Sequence, residues 1–180
     1  MDNDKKLYYT EYMSPVGVLT VAGTISGLTG LWLEGQKYHG ADFLKSRNAE
    51  KAEGYTKISE IPPVASACNW LDIYFSGNIP DFTPPLSLSG TAFRLRVWKL
   101  LGGIPYGQTI SYGELARRLG TEEGGKYISP RAVGGAVGHN PISIIIPCHR
   151  VTGADGTLCG YAGGESRKRF LINLESENKT

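Results

Sequence analysis
The chain has 180 residues, 41% of them apolar and 20% charged, with 19 Lys and Arg against 17 Asp and Glu. That length holds one domain or two small ones, each with a core, and no run of 18 apolar residues offers a membrane span. The near-balance of charge hides an asymmetry: residues 1–90 carry seven Lys and Arg against ten Asp and Glu, whereas residues 91–180 carry twelve against seven. A basic half is the footprint of a phosphate-binding surface, and equally of an ordinary solvated face. The polar opening Met1-Asp2-Asn3-Asp4-Lys5-Lys6 lacks the apolar stretch of a signal peptide. Cys68, Cys148 and Cys159 are odd in number and widely spaced, which argues against a disulfide framework. No CxxC pair or His/Cys cluster has metal-ligand spacing, so neither metal nor cofactor is expected. The expected setting is reducing and intracellular: cytoplasmic, or nuclear in a eukaryote.

Taken in chain order, Leu7 to Met13 is a Tyr- and Thr-rich strand ended by a turn at Ser14-Pro15. Val16 to Thr24 and Leu28 to Leu33 are two more strands, with Gly27 between them, together forming a small antiparallel meander. Val64, Cys68, Leu71 and Phe75 recur at helical spacing and predict a helix over Pro62 to Ser76, closed by Gly77, with Cys68 in its core face. Residues 80–90 hold three prolines and few apolar side chains, and the boundary between halves falls there. Beyond it, Phe93, Val97, Leu100 and Leu101 mark a helix with Thr91 as N-cap. Ser111-Tyr112-Gly113-Glu114 matches a capping box and starts a helix that continues through Leu115 and Leu119 to Gly120. A polar, glycine-bearing loop over residues 121–128 follows. Ser129-Pro130 then opens a helix of small residues, Arg131-Ala132-Val133-Gly134-Gly135-Ala136-Val137-Gly138. Such residues weaken a helix, since Gly costs roughly 1 kcal/mol relative to Ala, but they let a backbone approach a partner closely. The two helices suggest a helix-turn-helix, a weak signal alone.

Asn140-Pro141 breaks the small helix, and Ile142-Ser143-Ile144-Ile145-Ile146 reads as a short buried strand ended by Pro147. Cys148 follows, then His149 and Arg150. A thiol reacts as thiolate, and neighbouring cations lower its pKa, so this cysteine is either a nucleophile or a small buried hydrophobe.

Pro147-Cys148-His149-Arg150-Val151 resembles the active-site signature of the O6-alkylguanine-DNA alkyltransferases. Other blocks match the same family in order: Phe93 with Val97-Trp98, Ile104-Pro105-Tyr106-Gly107, Ile110-Ser111-Tyr112, Arg131-Ala132-Val133-Gly134, Asn140-Pro141-Ile142, Gly160-Tyr161-Ala162-Gly163-Gly164, and a final helix ending at Glu175. The resemblance is strong over residues 91–176 and holds in outline over residues 1–90. It implies an α+β fold with a small antiparallel sheet and helix, ribonuclease H-like, over residues 1–88. Residues 89–180 would form a mostly helical, winged-helix-like domain containing a helix-turn-helix.

The resemblance further implies single-use transfer of an alkyl group from O6-alkylguanine, and from O4-alkylthymine, in double-stranded DNA to Cys148. His149 would take the thiol proton through a water, Glu175 would orient the imidazole, and Tyr112 would hydrogen-bond the base at N3. Arg131 would fill the place of a flipped base, with Ala132, Gly135 and Tyr112 against the DNA. Val137, Asn140, Tyr161, Ala162 and Gly163 would line the base pocket, with the Cys148 and Val151 carbonyls holding the guanine amine and Asn140 mainly structural. The protein would act as a monomer, away from membranes, with Cys159 a bystander. In one departure, the stretch from Tyr112 to Arg131 is about five residues longer than the compact family pattern. In others, Ala162 stands where some relatives carry Ser, and residues 1–90 lack the residues for a zinc site seen in some relatives. Two other classes remain as alternatives. One is a sensor that retains alkylguanine without chemistry, against which Cys148 itself argues. The other is a cysteine hydrolase, for which the remaining histidines, His39 and His139, sit in no catalytic motif.

Overall fold
A computed structural model describes residues 6–38 and 40–178. His39, and most of the polar N-terminal opening, lie outside the described residues. The chain divides into two compact units, Met1–Ser89 and Gly90–Thr180.

In the first unit, β1 (Tyr8–Ser14), β2 (Gly17–Gly23) and β3 (Leu28–Leu33) form the expected antiparallel meander. The β1–β2 turn requires glycine, because Gly17 has φ 102°, and Ser14 Oγ closes it by donating to the Gly17 carbonyl at 2.6 Å. The sheet is mixed rather than purely antiparallel: β4 (Glu50–Lys51) joins it parallel to β1, in the order β3-β2-β1-β4. Two polar residues carry no strand periodicity, so β4 is illegible in the sequence. The short helices α1 (Ala41–Ser46) and α2 (Gly54–Ser59) flank it and were equally unmarked. Helix α3 (Pro62–Phe75) lays Val64, Ala67, Leu71 and Tyr74 on the sheet, where Leu19, Val21, Leu31 and Leu33 are also buried. Truncating one such leucine would cost about 2–5 kcal/mol. Gly77, at φ 84°, ends the helix as its composition suggested. The proline-rich segment is less of a linker than it looks: Leu28 N donates to the Pro85 carbonyl and Ser87 N to the Leu28 carbonyl, at 2.7 and 2.8 Å, which pins the segment beside β3.

The second unit is built on α4 (Ala92–Gly102), α5 (Tyr112–Glu122), α6 (Pro130–Gly138) and α7 (Glu165–Glu177), with a two-stranded parallel pair of β5 (Ile110–Ser111) and β6 (Val151–Thr152). Thr91 caps α4 through the Arg94 amide. The capping box at α5 is only half made. Ser111 Oγ accepts from the Glu114 amide at 3.0 Å, but the Glu114 carboxylate turns instead to Arg117 and Arg118. Helix α5 also runs past Gly120 to Glu122, since this glycine serves a close approach rather than a stop: a Cβ there would lie 2.2 Å from the Lys126 carbonyl oxygen. Ser129 precedes Pro130 at the start of α6 but makes no side-chain cap. Trp98 Nε1 donates to the Ala136 carbonyl at 2.9 Å and ties α4 to α6.

Candidate active site
The expected strand over residues 142–146 is not a strand. The segment is a buried turn in which Ile144 adopts φ 71°, followed by a single 3-10 turn at Cys148–Arg150. Apolar periodicity reported burial correctly but could not distinguish a strand from a turn whose polar groups are met by its own backbone, as in Ile146 N donating to the Ile142 carbonyl at 3.0 Å, and by one side chain. That side chain is Asn140. Its Nδ2 donates to the Ile146 carbonyl at 2.8 Å, to the Ile142 carbonyl at 3.2 Å and to Cys148 Sγ at 3.1 Å, while its Oδ1 accepts from the Ile142 amide at 3.0 Å. Asn140 therefore both shapes the turn and places a hydrogen-bond donor on the sulfur, which goes beyond the mainly structural part expected of it.

Cys148 is buried, 4% exposed. Burial pushes its thiol pKa up, and the Asn140 hydrogen bond and the charge of Lys168 act against that rise. The cations named from the sequence are not the ones that act on the thiol. Arg150 is locked elsewhere: its Nε and Nη2 donate to Glu175 at 2.8 and 3.0 Å, and its Nη1 donates to the Ile104 carbonyl at 2.6 Å. His149 is fully buried, and burial lowers its pKa against the opposing pull of Glu175, so the imidazole is neutral near pH 7. Its Nε2 lies 2.7 Å from Glu175 Oε1. An ionised carboxylate only accepts, so Nε2 carries the proton and Nδ1 the lone pair.

Glu175 belongs to the last two turns of α7, which continues past it to Glu177. An acid near a helix C-terminus is disfavoured by the helix dipole, and burial also opposes its charge. The His149 and Arg150 partners outweigh both and hold the carboxyl near pKa 2. The Gly107 amide donates to its Oε2 at 2.9 Å, so the loop after α4 is fixed to the same carboxylate.

Lys168 is a candidate site residue that the sequence did not single out. Its ammonium is buried, lies 5.9 Å from the centre of the Tyr112 ring, and donates to the carbonyls of Val151 and Cys159. Burial lowers its pKa, and Cys148 pulls the other way. The signal available was spacing: Lys168, Leu171 and Glu175 fall on one face of α7, where a lysine among apolar and partnered positions is out of place.

The β5–β6 pairing sets Tyr112, directly after β5, alongside the turn that carries Cys148. Burial raises the Tyr112 hydroxyl to a pKa of about 12, and it donates to the Cys159 carbonyl at 3.3 Å. The Tyr161 hydroxyl is buried without a hydrogen-bond partner among the described residues, and burial, reinforced by the charge of Cys148, raises its pKa well above 10. Gly163 is buried, Ala162 half-buried, and Val137 buried on α6. Val151 and Cys148 both present carbonyls, already accepting from Lys168 and from the Val151 amide respectively. Arg131, Ala132 and Gly135 are not part of this cluster; they form the exposed face of α6. A Cβ added at Gly135 or Gly138 would meet nothing within 4 Å, so packing within the protein does not demand small residues there.

A buried thiol beside a histidine–carboxylate pair defines a protein of the thiol-nucleophile class. Comparison with known proteins gives the family. Residues 92–177 match the DNA binding domain of 6-O-methylguanine DNA methyltransferase, and residues 7–88 match its ribonuclease-like domain. A methylated-DNA–protein-cysteine methyltransferase of Mycobacterium tuberculosis is 45% identical over 170 residues, 94% of this chain and 92% of that protein. One of the same name from Haemophilus influenzae is 42% identical, covering 94% and 86%. A crystal structure of Mycobacterium tuberculosis OGT in complex with DNA superposes with a TM-score of 0.78 at 42% identity, covering 95% of this chain and 94% of that one. The chain belongs to the 6-O-methylguanine DNA methyltransferase family.

Proposed function
We propose that this protein repairs DNA directly, moving the alkyl group of an O6-alkylguanine in duplex DNA onto Sγ of Cys148, once per molecule. The observation that carries the proposal is the thiol itself, held by Asn140 and followed in sequence by a neutral histidine that is oriented by a carboxylate. In the reaction the thiol proton passes to His149 Nδ1 through a bridging water, leaving a thiolate that Lys168 and Asn140 stabilise. Sulfur attacks the alkyl carbon, the carbon–oxygen bond breaks, and its electron pair stays on the guanine. Tyr112 turns its hydroxyl from the Cys159 carbonyl to N3 of the base, donating where negative charge develops. Each carbonyl keeps a second lone pair, so those of Cys148 and Val151 accept the guanine amine while retaining their present donors.

A thiol this deeply buried reacts only with a base that has left the duplex stack. Helices α5 and α6 act as a helix-turn-helix, the small exposed face of α6 lies against the groove, and Arg131 occupies the place of the extruded base. The base pocket is lined by Val137, Tyr161, Ala162 and Gly163. The protein works as a monomer in the compartment that holds DNA, with the N-terminal unit supporting the C-terminal one. The test is incubation with a duplex containing O6-methylguanine, followed by peptide mass analysis. The peptide containing Cys148 gains one methyl group, and Cys148→Ala abolishes the gain while DNA binding persists. A duplex that stays methylated with the protein bound would favour a sensor and sink this reading.

A further inference from the structure
The connection between α5 and α6 is a built protrusion rather than slack. Gly124 and Gly125, at φ 78° and 85°, reverse the chain just past α5. The Gly125 amide donates to the Gly120 carbonyl at 2.9 Å, and the Lys126 carbonyl packs where only a glycine at position 120 leaves room. Arg96 of α4 holds Glu123 at 2.7 Å and anchors the base of the loop. The result thrusts Tyr127 into solvent, 88% exposed, above an open cleft shared with Ala116, Ile128 and Pro130. An aromatic so exposed contributes almost nothing to the core, while the backbone on which it stands is fixed by the contacts of Gly125, Lys126 and Glu123.

The surrounding charge is positive. Arg117 and Arg118 share the single carboxylate of Glu114, and Lys126 and Arg131 are exposed with no ion-pair partner among the described residues. The remaining acid, Glu122, is a single opposing charge, because Glu123 is taken by Arg96. The loop leads directly into α6, within the matched DNA-binding region. We infer that Lys126 and Tyr127 form a second DNA contact: the Lys126 ammonium lies on a backbone phosphate of the duplex beside the lesion, and Tyr127 donates its hydroxyl to a neighbouring phosphate or packs on the sugar. Such contacts carry no sequence information; they set register and affinity. This inference rests on the function proposed above, and adds to it a docking element in the connection between α5 and α6.

The test measures single-turnover transfer from a methylated duplex over a range of protein concentrations, together with duplex affinity between 50 and 200 mM salt. The comparison uses wild type, Lys126→Ala, Lys126→Ala/Tyr127→Ala, and Lys45→Ala as a control removing the same charge from the N-terminal unit. One phosphate contact contributes a salt slope of about 0.9, equivalent to about eightfold in affinity near 0.1 M salt. Lys126→Ala is expected to lose about that much affinity and one unit of slope, the double variant more, with the rate at saturating protein unchanged and Lys45→Ala like wild type. Wild-type affinity and slope in the double variant would overturn the inference, as would a reduced saturating rate or an equal loss in Lys45→Ala. If wild-type protein transfers nothing, it is the proposed function that fails, a result distinct from any of these.

Discussion

Replacing Glu175 by Gln keeps the shape of the side chain and removes its charge. The carboxylate accepts from Arg150 twice, from the Gly107 amide and from His149 Nε2, all within 2.7–3.0 Å. A glutamine offers one oxygen and one NH2 group, so whichever way it turns, a donor faces a donor in a buried site. Its partners lower the Glu175 carboxyl from 4.5 to about 2 despite burial, a shift of order 2–3 units, or about 3 kcal/mol. Breaking a buried ion pair from one side costs a similar amount, about 3–5 kcal/mol. Because the folded pKa is depressed, this stability is fully present above about 4.5 and is lost as pH falls toward about 2. Urea denaturation at pH 7 should therefore show Glu175→Gln less stable by about 3 kcal/mol. Between pH 5 and 2, wild type should lose stability more steeply than the variant. Without the acceptor that fixes its tautomer, His149 no longer presents the Nδ1 lone pair reliably, and transfer to Cys148 should slow by about a hundredfold or more. A variant within about 0.5 kcal/mol of wild type, transferring at an undiminished rate, would refute the assignment of Glu175 as the residue that orients His149.

Lys168→Met should raise the Cys148 thiol pKa further by removing the opposing charge, so transfer slows at pH 7 and recovers as pH rises; a rate–pH profile that does not move would count against the electrostatic part given to Lys168. Gly135→Leu places a side chain in open space, so helix propensity should leave thermal stability equal or slightly higher, while duplex affinity falls at least about tenfold; unchanged affinity would remove the α6 face from the interface. Gly120→Ala drives a methyl toward the Lys126 carbonyl and should destabilise the protein by about 1–3 kcal/mol in denaturant titration; a neutral result would mean that the loop is not packed as described.

Local chemistry was enough to find several features. The β1–β3 meander, α3 with its glycine stop, the Thr91 cap and the smallness of α6 all follow from period, turn residues and capping preferences that act within a few positions. Cys148 with its neighbours was recognisable because the motif is contiguous. What the sequence could not decide was set by which hydrogen-bond partners the folded chain brings together, whether near in the chain or far. The run over residues 142–146 is a turn because its own backbone bonds, together with those of Asn140, take the groups that a strand would pair with a partner strand. Arg150 does not serve the thiol because Glu175, 25 positions away, claims it, and Lys168 serves instead because α7 buries it among the carbonyls of Val151 and Cys159. Burial and partner choice set the charge state of each group here, and both are properties of the packed chain rather than of any segment. The sequence determined which residues could do the chemistry, and tertiary packing decided which cation's charge acts on the sulfur and which nitrogen of His149 holds the proton.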